Sequence, residues 1–245
     1  TLRDETDGND TLDPHELTAI LPALGPIDVV GYDGCNMAAI EVQALWHGTA
    51  SATVHSQEYV GWDGIEYERI LPALQADPAM TPDEVAVLSS QSASVNRERT
   101  WSAVATDARW DVLLAAVDEW AAALQAGLPA YRASYDRAFR PAQDFWGDPS
   151  ALDLYDVAAR IHATVPDASI QASSQAVMAA VSGVVLDEWH IQPYPNAHGI
   201  SIYLPTHARE LDHPDTPEVD LDYYRTLPFA LWTRWDEFLV AYQVP

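Results

Sequence analysis

The order of secondary-structure signals predicts an α/β protein, a mostly parallel sheet with helices packed on its faces. Three observations carry that expectation. β-Branched runs at 27–33 ("IDVVGYD") and 50–56 ("ASATVHS") alternate with stretches of helical apolar spacing at 37–46 and 64–74. Apolar residues make up 48% of 245, enough for one large buried core. No apolar run approaches the roughly 18 residues that a membrane span needs. With no internal repeat, low-complexity tract or long linker in view, residues 1–245 are expected to form a single domain.

Taken in order, residues 1–14 are acidic and turn-rich and predict a surface loop. A helix over 13–24 follows, with Asp13 as cap, Pro14 in the first helical position and Glu16 three residues after the cap. Thr81-Pro82 opens another helix expected to run to 99, and "WSAVATD" (100–107) predicts a strand with polar alternation. Helices are expected at 109–126, 128–140 and 150–166, and strands, as possible neighbours, at 182–190 and 199–205. An aromatic-rich helix over 221–243 closes the chain.

Charge narrows the function classes. Acidic residues number 37 against 12 basic ones, a net charge of −25, and all the basic residues are arginine. Such a surface repels phosphate backbones and anionic lipid, which argues against nucleic-acid and membrane partners, and it attracts cationic ligands. A lysine-free chain fits a high-salt habitat or a GC-rich genome equally.

The single cysteine, Cys35, rules out an internal disulfide. It sits where the strand at 27–33 ends and before the helix expected at 37, the edge of an α/β sheet where ligands bind. A helix N-terminus there would favour thiolate. The bland alternative is a small buried hydrophobe. A nucleophilic cysteine needs a base, normally histidine. Of the eight histidines, His15 and His47 are explained by helix ends, His162 lies on an amphipathic helix, and His207 and His213 fall in a polar loop. His55 ends a strand, and His198-Gly199 has the local look of a catalytic pair.

The segment "YDGCNMAAIEV" resembles the nucleophile segment of the clostripain-like cysteine peptidases, with Asp33, Cys35, Met37 and Glu41 at the spaced positions. "HSQEYVGWDGIEYERILPAL" (55–74), "LDLYDVAARI" (152–161), "HGISIYLP" (198–205) and "LPFALWTRWDEFLVAY" (227–242) are similar to further segments of that family, in its order. The resemblance implies a caspase-like α/β/α sandwich with a mostly parallel central sheet and additional C-terminal helices. It implies a Cys-His dyad that hydrolyses peptide bonds, often after basic residues. Cys35 would be the nucleophile and its backbone N–H an oxyanion donor. Asp33, Glu58 and Asp63 would recognise the basic side chain of a peptide or protein substrate.

The family's catalytic histidine lies upstream of the acidic loop, and the chain opens inside that loop at Thr1 without a leader. The expectation is therefore a large fragment of an autoprocessed zymogen whose N-terminal light chain carries the histidine. His198 and His55 stand as alternative bases. Secretion is expected from the family. The chemistry needs no metal or other cofactor. The loop 3–13 invites a calcium reading but does not fit an EF-hand, because Arg3 and Pro14 would fall at ligand positions. Two rival readings remain, a non-catalytic pseudopeptidase that binds peptides and a transpeptidase or ligase on the same fold.

Overall fold

The computed structural model describes residues 2–4, 6, 8, 10–62, 64–93, 99–145, 148–205 and 221–243. Its centre is a four-stranded sheet of β3 (Ile27–Gly31), β4 (Ala50–His55), β5 (Thr100–Ala105) and β8 (Val185–His190), in that order across the sheet. β3 and β4 run parallel, whereas β4–β5 and β5–β8 are antiparallel. The α/β class is as expected, but the sheet is more mixed than the expected mostly parallel one. The reason lies in the crossover. One helix, α2 (Ile40–Ala44), joins β3 to β4 and restores direction, while two helices, α3 (Tyr67–Ala76) and α4 (Pro82–Gln91), lie between β4 and β5. A chain that goes out along one helix and back along a second re-enters the sheet from the end it left.

β5 is buried along its whole length, so the polar alternation expected there does not mark a wet face. Its alternate residues feed two cores. Trp101 and Ala103 join Ala52, Val54, Ile65, Ile70 and Ala86 under α3 and α4. Val104 faces the larger core, built on the other side from α5 (Arg109–Phe139), α6 (Leu154–Thr164), α7 (Ala168–Val184) and α10 (Trp235–Gln243). Trp120 and Trp235 stack there at 5.4 Å between ring centroids, and Trp120 donates its indole N–H to Ser174 Oγ. A third cluster of Leu21, Leu45, Trp46 and Ala50 fastens α1 (Pro14–Leu24) beside β3.

Locally encoded features follow the sequence closely. Asp13 and Thr81 each form a reciprocal capping box, with Glu16 and Glu84, at the starts of α1 and α4. Each box contributes about 1 kcal/mol. Elsewhere packing overrides local signals. The break expected at 127–128 is absent, and α5 runs 31 residues through Pro129. Tyr135 donates its hydroxyl to the Leu124 carbonyl near that proline, and Gly127 lets Ile170 and Tyr135 approach to within contact of the backbone.

Other elements shift. The loop expected at 1–14 contains a hairpin, β1 (Leu2–Asp4) with β2 (Asp10–Leu12). α4 stops at Gln91 instead of continuing to 99. Residues 150–153 belong to β7 (Asp148–Asp153), and α6 starts only at Leu154. β7 pairs with β6 (Asp144–Phe145) and with β9 (Ser201–Tyr203), so the 199–205 strand is a neighbour of β7 and not of β8. The closing helix is split into α8 (Leu221–Tyr224), α9 (Pro228–Trp232) and α10. α7 has no counterpart among the expected elements.

Candidate active site

β3 delivers its chain to the carboxyl edge of the sheet, where Tyr32 still pairs with β4 through its N–H to the Val54 carbonyl. The next residues turn over the end of β4. Asn36 adopts φ 56°, a left-handed conformation that asparagine tolerates better than most residues. It is held there by its N–H to the Glu58 carbonyl, 3.2 Å, and its side-chain amide to the Gln57 carbonyl, 2.9 Å. Ala38 then donates to the Ser56 carbonyl. These bonds leave Cys35 at the crest of the turn with an exposed thiol.

No helix N-terminus stands at Cys35, contrary to expectation. α2 begins at Ile40 and spans only five residues, so its N-terminus is too far along the chain and too short to act on the sulfur. The donor at the sulfur is instead the Val60 backbone N–H, 3.4 Å from Sγ, with the Val60 carbonyl 3.9 Å away. The Val60 peptide groups thus place one donor and one acceptor beside the sulfur. Among the described residues nothing accepts from the Cys35 N–H. That donor remains open at the crest.

Asp33 is exposed two residues before Cys35. Its Oδ2 accepts from the Ile65 N–H at 3.4 Å and the Tyr67 hydroxyl at 3.2 Å. Gly64, at φ 55°, lies so close that a Cβ there would sit 2.2 Å from either carboxylate oxygen. Glu58 faces inward. Its side chain is fully buried, with Oε1 accepting from the Tyr59 N–H at 2.9 Å and lying 3.7 Å from the Arg99 guanidinium. Asp63 lies outside the described residues. The structure thus brings Asp33 to the surface beside Cys35, and it brings the Glu58 backbone, though not its carboxylate, against the turn.

No described histidine lies within hydrogen-bonding distance of the sulfur. His55 is completely buried, with Nδ1 on Ser102 Oγ, and desolvation pushes its pKa down to about 3. It is a neutral core residue. His198 is a different case. Its Nδ1 lies 3.1 Å from the buried Asp153 carboxylate and 2.8 Å from the Asn196 carbonyl, and its ring stacks on Tyr155. Partial burial pulls its pKa down, but the Asp153 hydrogen bond and charge outweigh that and raise it above the ordinary value. His15, His47, His162 and His190 bond to Thr226, Asp111, the Gln171 carbonyl and Glu188. His207 and His213 lie outside the described residues.

Gln57, Asp153, Gly64 and Tyr67 were not singled out from the sequence. Gln57 is buried, donates to Asp153 Oδ2 at 3.0 Å and accepts from the Gly199 N–H at 2.9 Å, so it ties the turn carrying Cys35 to the segment carrying His198. The glycine in "WDG" was the one available signal for the tight turn at Gly64. Among the described residues no group of three His, Cys, Asp or Glu side chains is placed to hold a metal. Glu5, Asp7 and Asn9 of the acidic loop lie outside the described residues.

Similar folds occur in several solved structures. An inactive zymogen C11 protease from Parabacteroides distasonis matches at TM-score 0.61 and 16% identity over 89% of this chain and 61% of that one. A cysteine protease from B. fragilis matches at 0.58 and 16% over 94% and 98%. A clostripain from Bacteroides thetaiotaomicron, in complex with a peptide inhibitor, matches at 0.63 and 12% over 95% and 99%. The chain thus spans less than two thirds of the zymogen's length but nearly all of the other two chains. No curated protein is significantly similar to it. The model of the Clostripain family covers residues 3–242, from the acidic hairpin to the last helix and across the Cys35 turn, and the chain belongs to that family.

Proposed function

We propose that this chain is the nucleophile-bearing part of a cysteine endopeptidase that cleaves after a basic residue. The observation that carries the reading is the exposed Cys35 thiol on a turn over the parallel β3–β4 pair, with an N–H donor on the sulfur and its own N–H open. In the reaction the thiolate attacks the scissile carbonyl carbon, forming the C–S bond. The oxyanion is met by the Cys35 N–H. The C–N bond breaks as an imidazolium protonates the leaving amine, and water then hydrolyses the thioester, returning the thiolate. Asp33 takes the substrate's ammonium or guanidinium group. The chemistry uses no metal or other cofactor.

The imidazole comes from a separate N-terminal chain of the same precursor, released by autoprocessing in the acidic loop. Two things support this. His55 is committed to the core, and the ring of His198 is committed to Asp153. β3 is also an edge strand, with no partner on its outer side among the described residues. An open edge next to the nucleophile is where a further strand would pair, and its carboxyl end would place a histidine beside Cys35.

Export of the enzyme is part of this reading. One similar structure is described as a secreted C11 cysteine protease from Bacteroides thetaiotaomicron, and no described helix is long and apolar enough to cross a membrane. The test of the whole is covalent. A lysyl or arginyl chloromethyl ketone should label the mature enzyme at Cys35, located by peptide mass analysis. Labelling should disappear in Cys35→Ala and fall when the basic side chain is replaced by norleucine. An enzyme that is never labelled at Cys35 is a binding protein and not a peptidase.

A further inference from the structure

We propose, resting on the reading of Asp33 as the basic-residue acceptor, that the site takes lysine in preference to arginine because Gly64 fills the side-on edge of that carboxylate, and that the enzyme's own lysine-free chain is thereby a poor substrate for it. A Cβ on Gly64 would lie 2.2 Å from each Asp33 oxygen and 2.5 Å from the carboxyl carbon. Equal distances to the two oxygens and a longer one to the carbon are met on the bisector of the carboxylate, in front of both oxygens. The glycine directs an α-hydrogen along that line, a weak donor shared by the two oxygens. Its main chain therefore stands where the partner of a side-on ion pair would stand.

The shapes of the two cations give the selectivity. An arginine fork sends two parallel N–H groups to both oxygens at once, from the side that Gly64 fills. To receive it the carboxylate must turn off the glycine and give up the Ile65 N–H at 3.4 Å and the Tyr67 hydroxyl at 3.2 Å on Oδ2. Oδ1 receives no N–H or O–H donor among the described residues, so its outer side is open. An ammonium is a compact charge with rotatable donors and is satisfied there end-on. A guanidinium can offer that oxygen a single N–H and leaves the rest of its fork unmatched. All 12 basic residues of the chain are arginine, so the side chain that the site prefers is the one the chain lacks. Rapid self-cleavage of the precursor must then fall outside residues 1–245.

The test uses the full mature enzyme and two substrate pairs. On peptides that differ only in Lys or Arg at the cleaved position, kcat/KM for Lys should exceed that for Arg about tenfold, the equivalent of one charge-assisted hydrogen bond. Tyr67→Phe leaves the edge closed and should keep that ratio within about twofold. The second pair is the heat-unfolded Cys35→Ala chain and the same chain carrying Arg132→Lys. Cutting after position 132, followed by mass analysis, should be about tenfold faster in the second. Equal rates for Lys and Arg, or a preference for Arg, overturn the proposal, as does a ratio that collapses in Tyr67→Phe. Asp33→Asn separates the two levels of the argument. If it abolishes the preference for basic residues over norleucine while the unsubstituted enzyme cuts after Lys and Arg alike, only the role of Gly64 falls. If Asp33→Asn leaves that preference intact, the reading of Asp33 falls, and the role of Gly64 with it.

Discussion

The backbone N–H of Val60 points at the sulfur of Cys35 across 3.4 Å, joining the turn after β3 to the loop after β4. The residue that supplies this donor is 25 positions downstream of the cysteine, so the hydrogen bonding of the sulfur depends on the path of a loop and not on a neighbouring helix. Val60→Pro removes the N–H. It should slow alkylation of Cys35 by iodoacetamide at pH 7 roughly tenfold, the effect of losing one hydrogen bond to a charged group. Val60→Ala keeps the amide and should react at the rate of the unsubstituted protein. Equal rates in all three proteins would show that the loop does not tune the sulfur.

Gly64 makes a second demand on that loop. Its φ of 55° and its contact with both Asp33 oxygens make alanine unacceptable on two grounds, backbone strain and overlap. Gly64→Ala should raise KM for basic substrates about tenfold and lower stability by about 1 kcal/mol, since the carboxylate must swing away. Steady-state kinetics and a thermal melt check the two effects separately. A stability loss with unchanged KM would mean that Asp33 does not meet substrate.

What was legible in the sequence divides along the range of the interactions. The Asp13–Glu16 and Thr81–Glu84 boxes are complete within four residues, and both helices start where the sequence places them. Cys35 stood out through its place after a strand and its spaced neighbours. α7 escaped because "ASIQASSQAVMAAVSGV" has no charged face. Its buried positions, Ile170, Ser174, Val177, Ala180, Val181 and Val184, do fall on one helical stripe, but the serine there reads as polar until Trp120 supplies its partner. The Gly127-Leu128-Pro129 signal misled for the opposite reason: a real local penalty is offset by packing against Ile170, more than 40 residues away. The contacts of Tyr67, Gln57 and Asp153 at the site span 34, 142 and 45 residues, and no window along the chain contains them.

His55 should give the protein a distinct acid sensitivity. Its folded-state pKa of about 3 lies below the ordinary 6.5, so the unfolded chain binds a proton that the folded protein refuses. The stabilisation by the neutral ring is fully present above pH 6.5 and is lost as pH falls toward 3. At about 1.4 kcal/mol per pH unit of separation the loss amounts to several kcal/mol. Denaturant melts at pH 7, 5.5 and 4.5 should show unsubstituted protein losing more stability than His55→Gln over that interval. Parallel losses would mean that the ring takes up its proton inside the folded protein.

Gln57 offers the sharpest electrostatic test of how the site is braced. Its amide nitrogen lies 3.0 Å from the buried Asp153 carboxylate, and its amide oxygen receives the Gly199 N–H at 2.9 Å. Gln57→Glu is nearly isosteric and keeps the acceptor for Gly199, but it replaces the donor with a second carboxylate facing Asp153. Two buried carboxylates at that distance cannot both stay ionised, so one takes a proton with a raised pKa. The folded variant then binds more protons than its unfolded chain, and its stability relative to unsubstituted protein should rise as pH is lowered from 8 to 5. At pH 8 the variant should be less stable by about 2–4 kcal/mol. Gln57→Leu, which brings no charge, should show a pH-independent deficit. If Gln57→Glu followed that flat course instead, the bond from Gln57 to Asp153 would not be what couples the cysteine turn to His198.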